Sequence, residues 1–319
     1  MVLRDWWSSV RRAVLALALC QVIWSFGGVV IRWSPLPPTT LVTLALLSAG
    51  TALALLTPRR RMRLPSWRLR AEAVAFGVAN GAVNARSAVA ITLAGIGNAA
   101  FAFATLPLWL MIVARPLVGD RVPARALPAL GLGGVGIALL LLAGRGSDGG
   151  DRVMLGTLLG VLAAVVGSVC ALAGRRLVPS IGAEPTAAWT MLTGGVVLLP
   201  LVDWPSLGDL AWWMLPVVLG WTAAHFLAAP VLYNRAAVVA PAFVIAVATF
   251  VNPALAPVWG AVFHGERVAP LAVFGLLLAL GANVLLLVLM RSSPAAPVVA
   301  DDGLAAMSTV VARLAPGES

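Results

Sequence analysis

The 319-residue chain is 61% hydrophobic and 11% charged, with a mean hydropathy of +0.98. Soluble domains carry about 25% charged residues, so this chain has too little polar surface to solvate a globule of its size. Its formal charge of +10 comes from 22 arginines and no lysine. These gather in short loops between apolar runs, the distribution of topology determinants rather than of a nucleic-acid-binding face.

Apolar runs of about twenty residues, the length that crosses a bilayer core, recur along the chain. They lack the two-residue alternation of an outer-membrane barrel, so the expected fold is all-α and integral to a membrane. The first run, Ala13–Ile31, follows basic residues as the core of a signal peptide does. It is longer than such a core and has no convincing small-residue cleavage site, so it reads as a retained first helix. Nine further spans are predicted at Thr39–Thr57, Ala71–Leu93, Gly97–Pro116, Arg125–Ala143, Val153–Gly174, Thr186–Val202, Ala211–Leu232, Val239–Phe263 and Pro270–Met290. Connections are short, so successive helices run antiparallel. Cys20 and Cys170 fall inside spans of different halves and in no metal-binding pattern.

A short stretch occurs twice. Pro107 precedes Asp120 by thirteen residues, within Gly119-Asp120-Arg121-Val122, and Pro253 precedes Glu266 by thirteen, within Gly265-Glu266-Arg267-Val268. One offset of 146 relates both pairs and also carries Ala90 onto Ala236. Two such copies, each closing an apolar helix, argue for internal duplication. The halves are residues 1–143 and 153–291, joined by a polar hinge at 144–152. The Ala/Pro-rich segment 292–319 is expected to be a disordered cytoplasmic tail. A weaker echo places Ser25 seven residues before Arg32 and Ser168 seven before Arg175.

Five helices per half is an odd number, so the second half enters the membrane from the opposite side. The expectation is ten transmembrane helices in two inverted five-helix repeats, an arrangement characteristic of secondary transporters, with the solute near the midplane between repeats. With both termini in the cytoplasm, seventeen arginines lie on the inner side. Arg32, Arg145, Arg152 and Arg267 lie on the outer side, and Arg86 lies within a span. The bias predicts N-in/C-in.

Taken together, these residues resemble the EamA-type transporters of the drug/metabolite transporter superfamily, over about Ala13 to Met290. The resemblance rests on Trp24-Ser25-Phe26-Gly27, on Gly97-Asn98-Ala99-Ala100 leading to Pro107, and on Gly119-Asp120 before the glycine-rich stretch Gly131 to Gly136. In the second half it rests on Tyr233, Pro241-Ala242, Pro253, Gly265-Glu266, Gly275 and Gly281. The family's usual acid after the glycine is Glu, and Asp120 departs from it with a shorter reach. The resemblance implies a ten-helix, alternating-access transporter, usually an exporter of small metabolites, amino acids or xenobiotics. It names no solute.

Arg86 lies deep in the third span, where a charge usually faces a cavity or a partner. It could bind a substrate carboxylate or phosphate; it could equally pair with a carbonyl or snorkel to the interface. Glu72 cannot pair with it along the helix, because fourteen residues put them about 21 Å apart. Asn80 and Asn84 share a helix face, with Arg86 well off their line, and either substrate contact or interhelical hydrogen bonding suits them. His225, central in the eighth span, is a candidate for proton coupling or a neutral interhelical bridge. No carboxylate stands at mid-depth in any span, so a carboxylate proton relay has little support. The resemblance places Trp24, Tyr233 and Asn252 around the central path, where the aromatics could cover part of a solute. Trp6, Trp7, Trp33, Trp204, Trp212 and Trp213 sit at span ends and fit an interfacial belt. Asp120 and Glu266 are expected to cap helix ends and pair with arginines or backbone amides.

The expected function is therefore secondary transport, as an efflux permease for small organic metabolites, amino acids or drugs. A translocase of a lipid or lipid-linked carrier is the alternative. An intramembrane enzyme would need a nucleophile–base pair, paired carboxylates or a metal set, and none occurs at recognisable spacing. ATP-driven transport is disfavoured by the lack of a Gly-x-x-x-x-Gly-Lys-Ser/Thr motif. No metal or cofactor is expected, and the expected partners are the solute and membrane lipids, with a homodimer left open. The absence of lysine suggests a G+C-rich bacterium and its inner membrane.

Overall fold

The computed structural model describes residues 2–118, 127–145, 149–240, 245 and 248–291. Within these the secondary structure is helical, with no strand. The helices are α1 (Val2–Trp33), α2 (Pro38–Leu56), the single turn α3 (Arg59–Met62), α4 (Trp67–Ala94), α5 (Ile96–Phe103), α6 (Leu106–Val118) and α7 (Leu127–Arg145). There follow α8 (Gly150–Ile181), α9 (Ala183–Leu198), α10 (Leu215–Thr222), α11 (Ala229–Val239), α12 (Val251–His264) and α13 (Pro270–Arg291). Gly119 and Asp120, part of the hinge and the whole tail fall outside the described residues. Five stretches are long and apolar enough to cross a membrane: Arg12–Trp33, Pro38–Leu56, Trp67–Ala94, Gly150–Ile181 and Trp212–Val238. Shorter apolar helices at Ile96–Leu110, Leu127–Ala143 and Pro270–Leu285 accompany them.

Several predicted spans are not continuous α-helices. The fourth, Gly97–Pro116, unwinds at Ala104-Thr105, just before Pro107, dividing α5 from α6. Proline supplies no N–H to the turn behind it and its ring crowds that turn. Leu108 N donates to the Thr105 carbonyl at 3.0 Å rather than to that of Ala104, four residues back, and the Ala104 carbonyl accepts Asn283 Nδ2 of α13 at 3.1 Å. The second half repeats the break: Phe250 is a turn between helical residues 248–249 and α12, again three residues before a proline, Pro253. Ala104 and Phe250 are related by the same offset of 146.

The eighth span begins in a 3-10 turn at Trp212–Met214 and widens into a π-helix over Ala223–Ala228, between α10 and α11. In that wide winding each N–H bonds the carbonyl five residues back. Pro230 has no N–H to offer, and the carbonyl of His225, five back, accepts Trp24 Nε1 at 3.1 Å.

The packing relates the two halves to each other. The second helices of each half run antiparallel: Thr40 Oγ1 accepts Asp203 N at 2.9 Å at one end, while Leu53 packs on Ala187 and Ala188 at the other. The last helices, α7 and α13, also run antiparallel, with Gly136 against Gly275 and Ala279 and Ala143 clustered with Ala272. A Cβ on Gly136 would stand 2.7 Å from the Gly275 carbonyl and 2.9 Å from Ala279 N. Such a backbone approach requires glycine, as in small-residue interfaces within membranes. The first helix of each half meets the third unit of the other: α8 lies along α4, with Gly156 at Ala94 and Gly174 at Phe76. Likewise α1 lies along α11, with Cys20 Sγ donating to the Ala229 carbonyl at 3.3 Å. Equivalent helices that pair antiparallel make the second half an inverted copy of the first.

Candidate functional site

The seam between α1 and the π-bearing helix holds three of the residues singled out from the sequence. Trp24 and Tyr233 bring their ring centroids to 5.3 Å, and Trp24 is hydrogen-bonded to the His225 carbonyl. The His225 ring packs on Trp221 and Phe226, with centroids 5.3 and 4.7 Å away. It lies so close to Gly27 of α1 that a Cβ there would be 2.6 Å from its Cε1. Among the described residues, His225 Nδ1 and Trp221 Nε1 are both buried without a hydrogen-bond partner. Buried polar atoms are seldom left so, and here two occur four residues apart, Trp221 near the end of α10 and His225 in the π-helix that follows, a winding that often marks functional sites.

On the other flank of α1, Phe26 makes edge contacts with Trp259 and Phe263 of α12, and Trp259 Nε1 donates to Ser25 Oγ at 2.9 Å. Ser25 and its echo Ser168 are both buried. Each donates to the carbonyl three residues before it, Val22 and Val165. Asn252 stands half-buried beside Pro253, at the start of α12.

Arg86 is the twentieth of 28 residues in α4. It is half-buried, and no hydrogen bond or ion pair engages it among the described residues. Its neighbours Gly81, Ala85 and Ala88 are buried, and Gly77 and Gly81 bring α4 against Thr193 and Gly194 of α9. At 100° per residue Arg86 points away from that contact. Asn84 Nδ2 donates to the Asn80 carbonyl at 2.8 Å, and Asn80 Nδ2 is buried without a partner. The structure thus joins Trp24, His225 and Tyr233 across one seam, whereas Arg86 and the two asparagines project from separate faces of α4.

Glu266 is a structural hub. Ile96 N donates to both carboxylate oxygens, at 3.0 and 2.9 Å, and Gly97 N to one, at 3.3 Å. Arg32, from the end of α1, forms a salt bridge with the same carboxylate. The acid after the second repeated glycine therefore caps α5, in the opposite half. Gly95, at φ 88°, lets α4 turn into α5 and leaves room for the carboxylate, which a Cβ would meet at 3.1 Å. Gly265 takes the left-handed φ of 64° that ends α12.

Sequence reading missed Trp221, Trp259 and Asn283. Their signal was position: both tryptophans lie mid-helix rather than at interfaces, and Asn283 is an amide inside the apolar α13. Trp33, Trp204, Trp212 and Trp213 are well exposed, as the interfacial belt expects.

Long apolar helices in two antiparallel-paired halves, each with a proline-linked break, define a multi-pass membrane protein built on inverted repeats. The EamA-like transporter family model matches residues 11–142 and again 154–288. The chain belongs to that family, and so to the membrane transporters of the drug/metabolite transporter superfamily. A solved structure titled only "Crystal structure of protein" is similar at a TM-score of 0.59 and 19% identity, over 89% of this chain and 100% of its own. At that identity the likeness shows the fold alone. No curated protein matches the chain.

Proposed function

We propose that this protein is a secondary transporter with ten membrane-spanning segments and both termini in the cytoplasm of a bacterial inner membrane. It exports small organic solutes bearing a carboxylate, amino acids among them, by alternating access between its inverted halves. The observation that carries the solute class is Arg86, a guanidinium well inside an apolar helix with no hydrogen-bond or ion-pair partner among the described residues. A charge in that position costs several kcal/mol unless something neutralises it, and a bidentate carboxylate suits a guanidinium best. The paired breaks before Pro107 and Pro253 support alternating access, because discontinuous helices form the sites of many such carriers. The Trp24–Tyr233 wall would cover the apolar part of the solute, with Asn252 as a further polar contact, while Asn80 and Asn84, on a different face of α4 from Arg86, would serve interhelical hydrogen bonding instead. His225, with its unpaired Nδ1, is the candidate for moving a coupled proton.

The test is counterflow in proteoliposomes with a panel of labelled amino acids and organic acids, comparing wild type with Arg86→Gln. Exchange of carboxylate-bearing solutes that fails in a folded R86Q protein supports the proposal. Equal exchange by the variant returns Arg86 to a structural role. If no soluble compound exchanges, the lipid-translocase reading replaces this one. For His225 the readout is narrower: His225→Gln should keep counterflow but lose uptake driven by a pH gradient, and retained gradient-driven uptake would remove the histidine from coupling.

A further inference from the structure

Where α2, α9 and α11 meet at one end of the bundle, a groove of about 390 Å³ opens between them. Its walls are apolar, with Leu53 and Leu56 from α2 facing Leu227 and Val231 from the π-bearing helix. One end is polar, closed by Glu184 and Arg235, which form a salt bridge that leaves Arg235 64% exposed. Beyond Leu56 the chain passes through Thr57 and Pro58 into α3, whose Arg59, Arg60 and Arg61 are all exposed. Arg61 stands near enough to Glu184 to act on its carboxylate. The groove therefore joins a hydrocarbon-lined slot to Arg235 at its rim and Arg61 close by, two guanidiniums of which Glu184 neutralises one, with Arg59 and Arg60 on the same exposed turn as Arg61.

That pairing selects its occupant. A soluble anion would be drawn to the rim but gains nothing from leucine walls, and a zwitterionic lipid fills the slot but leaves the rim charge uncompensated. Basic pockets between membrane helices bind anionic headgroups, and an acyl chain restores the dispersion contacts that an open apolar slot lacks. We propose that this groove binds one anionic phospholipid, with an acyl chain between α2 and α11 and its phosphate held by Arg61 and Arg235. The site is separate from Arg86 and from the Trp24–Tyr233 seam, and it stands whatever the solute is.

Native mass spectrometry of the full-length protein, released from detergent after incubation with equimolar phosphatidylglycerol and phosphatidylcholine of identical chains, tests it. Wild type should retain phosphatidylglycerol at least fivefold over phosphatidylcholine. Replacing Arg59, Arg60, Arg61 and Arg235 together by glutamine should bring the ratio towards one, while the matching lysine variant keeps the preference. Ala228→Phe, which fills the groove and leaves every arginine in place, should release one bound phosphatidylglycerol. Equal retention of the two lipids by wild type overturns the proposal, as does a preference that survives the glutamine variant. Undiminished binding by A228F overturns it too, because the arginines would then be acting only as topology determinants with a diffuse lipid shell.

Discussion

At one end of the bundle the Glu266 carboxylate accepts the amides of Ile96 and Gly97 and pairs with Arg32. Its side chain is 13% exposed, so these are charge-assisted bonds with limited competition from water, each contributing about 1.5–3 kcal/mol. Glu266→Ala should cost on the order of 3 kcal/mol in thermal unfolding of the detergent-solubilised protein, and Glu266→Gln less, since an oxygen still faces the amides. A loss under about 0.5 kcal/mol for E266A, the range of a neutral surface change, would rule out the hub. At the other end, the hydrogen bond from Arg235 holds the Glu184 carboxyl below its ordinary value of 4.5. A depressed acid pKa means stabilisation that is complete above that ordinary value and fades as pH falls through the lowered one. Glu184→Gln should therefore flatten the fall in melting temperature below about pH 4.5 while changing little at pH 7, where a surface pair contributes about 0–1 kcal/mol. An unchanged acid limb would contradict this.

The elements that define this fold are those that depart from regular winding. The break before Pro107 has its carbonyl satisfied by Asn283, itself 1% exposed. Asn283→Leu keeps the branched heavy-atom skeleton, with bulkier methyls, but removes the donor, and a typical cost for such an interhelical bond in a membrane is about 0.6 kcal/mol. The more telling readout is turnover, expected to fall several-fold if the break must hold its shape through the transport cycle. Unchanged transport would make the break passive. The α7–α13 pair is the opposite case, regular helices brought together by what their sequence omits. Gly136→Val would force its branched side chain into the Gly275 carbonyl and should cost about 1–3 kcal/mol; a melting curve superposable on wild type would show that the two helices can separate freely.

For the whole molecule, the antiparallel pairing of the halves imposes one axis, and charged groups gather at both of its ends. Arg32, Gly95 and Glu266 meet at one end, and Thr57, Glu184 and Arg235 at the other. The proposed orientation, with the Glu184–Arg235 end in the cytoplasm, rests on the arginine bias. In a Cys20→Ala, Cys170→Ala background, a cysteine at Ser66 should react with a membrane-impermeant maleimide only after permeabilisation, whereas one at Gly208 should react in intact cells. The reverse pattern would invert the assigned topology.

Hydrophobicity was enough for the membrane class, the 146-residue offset argued for the duplication, and the resemblance of short motifs pointed to the family, because each is read from composition or from residues along the chain. Even the breaks were half legible, since a proline inside an apolar run marks where hydrogen bonding must fail. What filled those failures was not: Asn283 reaching Ala104, and Trp24 taking the carbonyl that Pro230 cannot serve, lie 179 and 201 positions apart. Glu266 was legible as a cap, but the helix it caps begins 170 residues earlier in the other half. Local pattern tells which groups will need partners. Only the antiparallel packing of one half on the other decides which partners arrive.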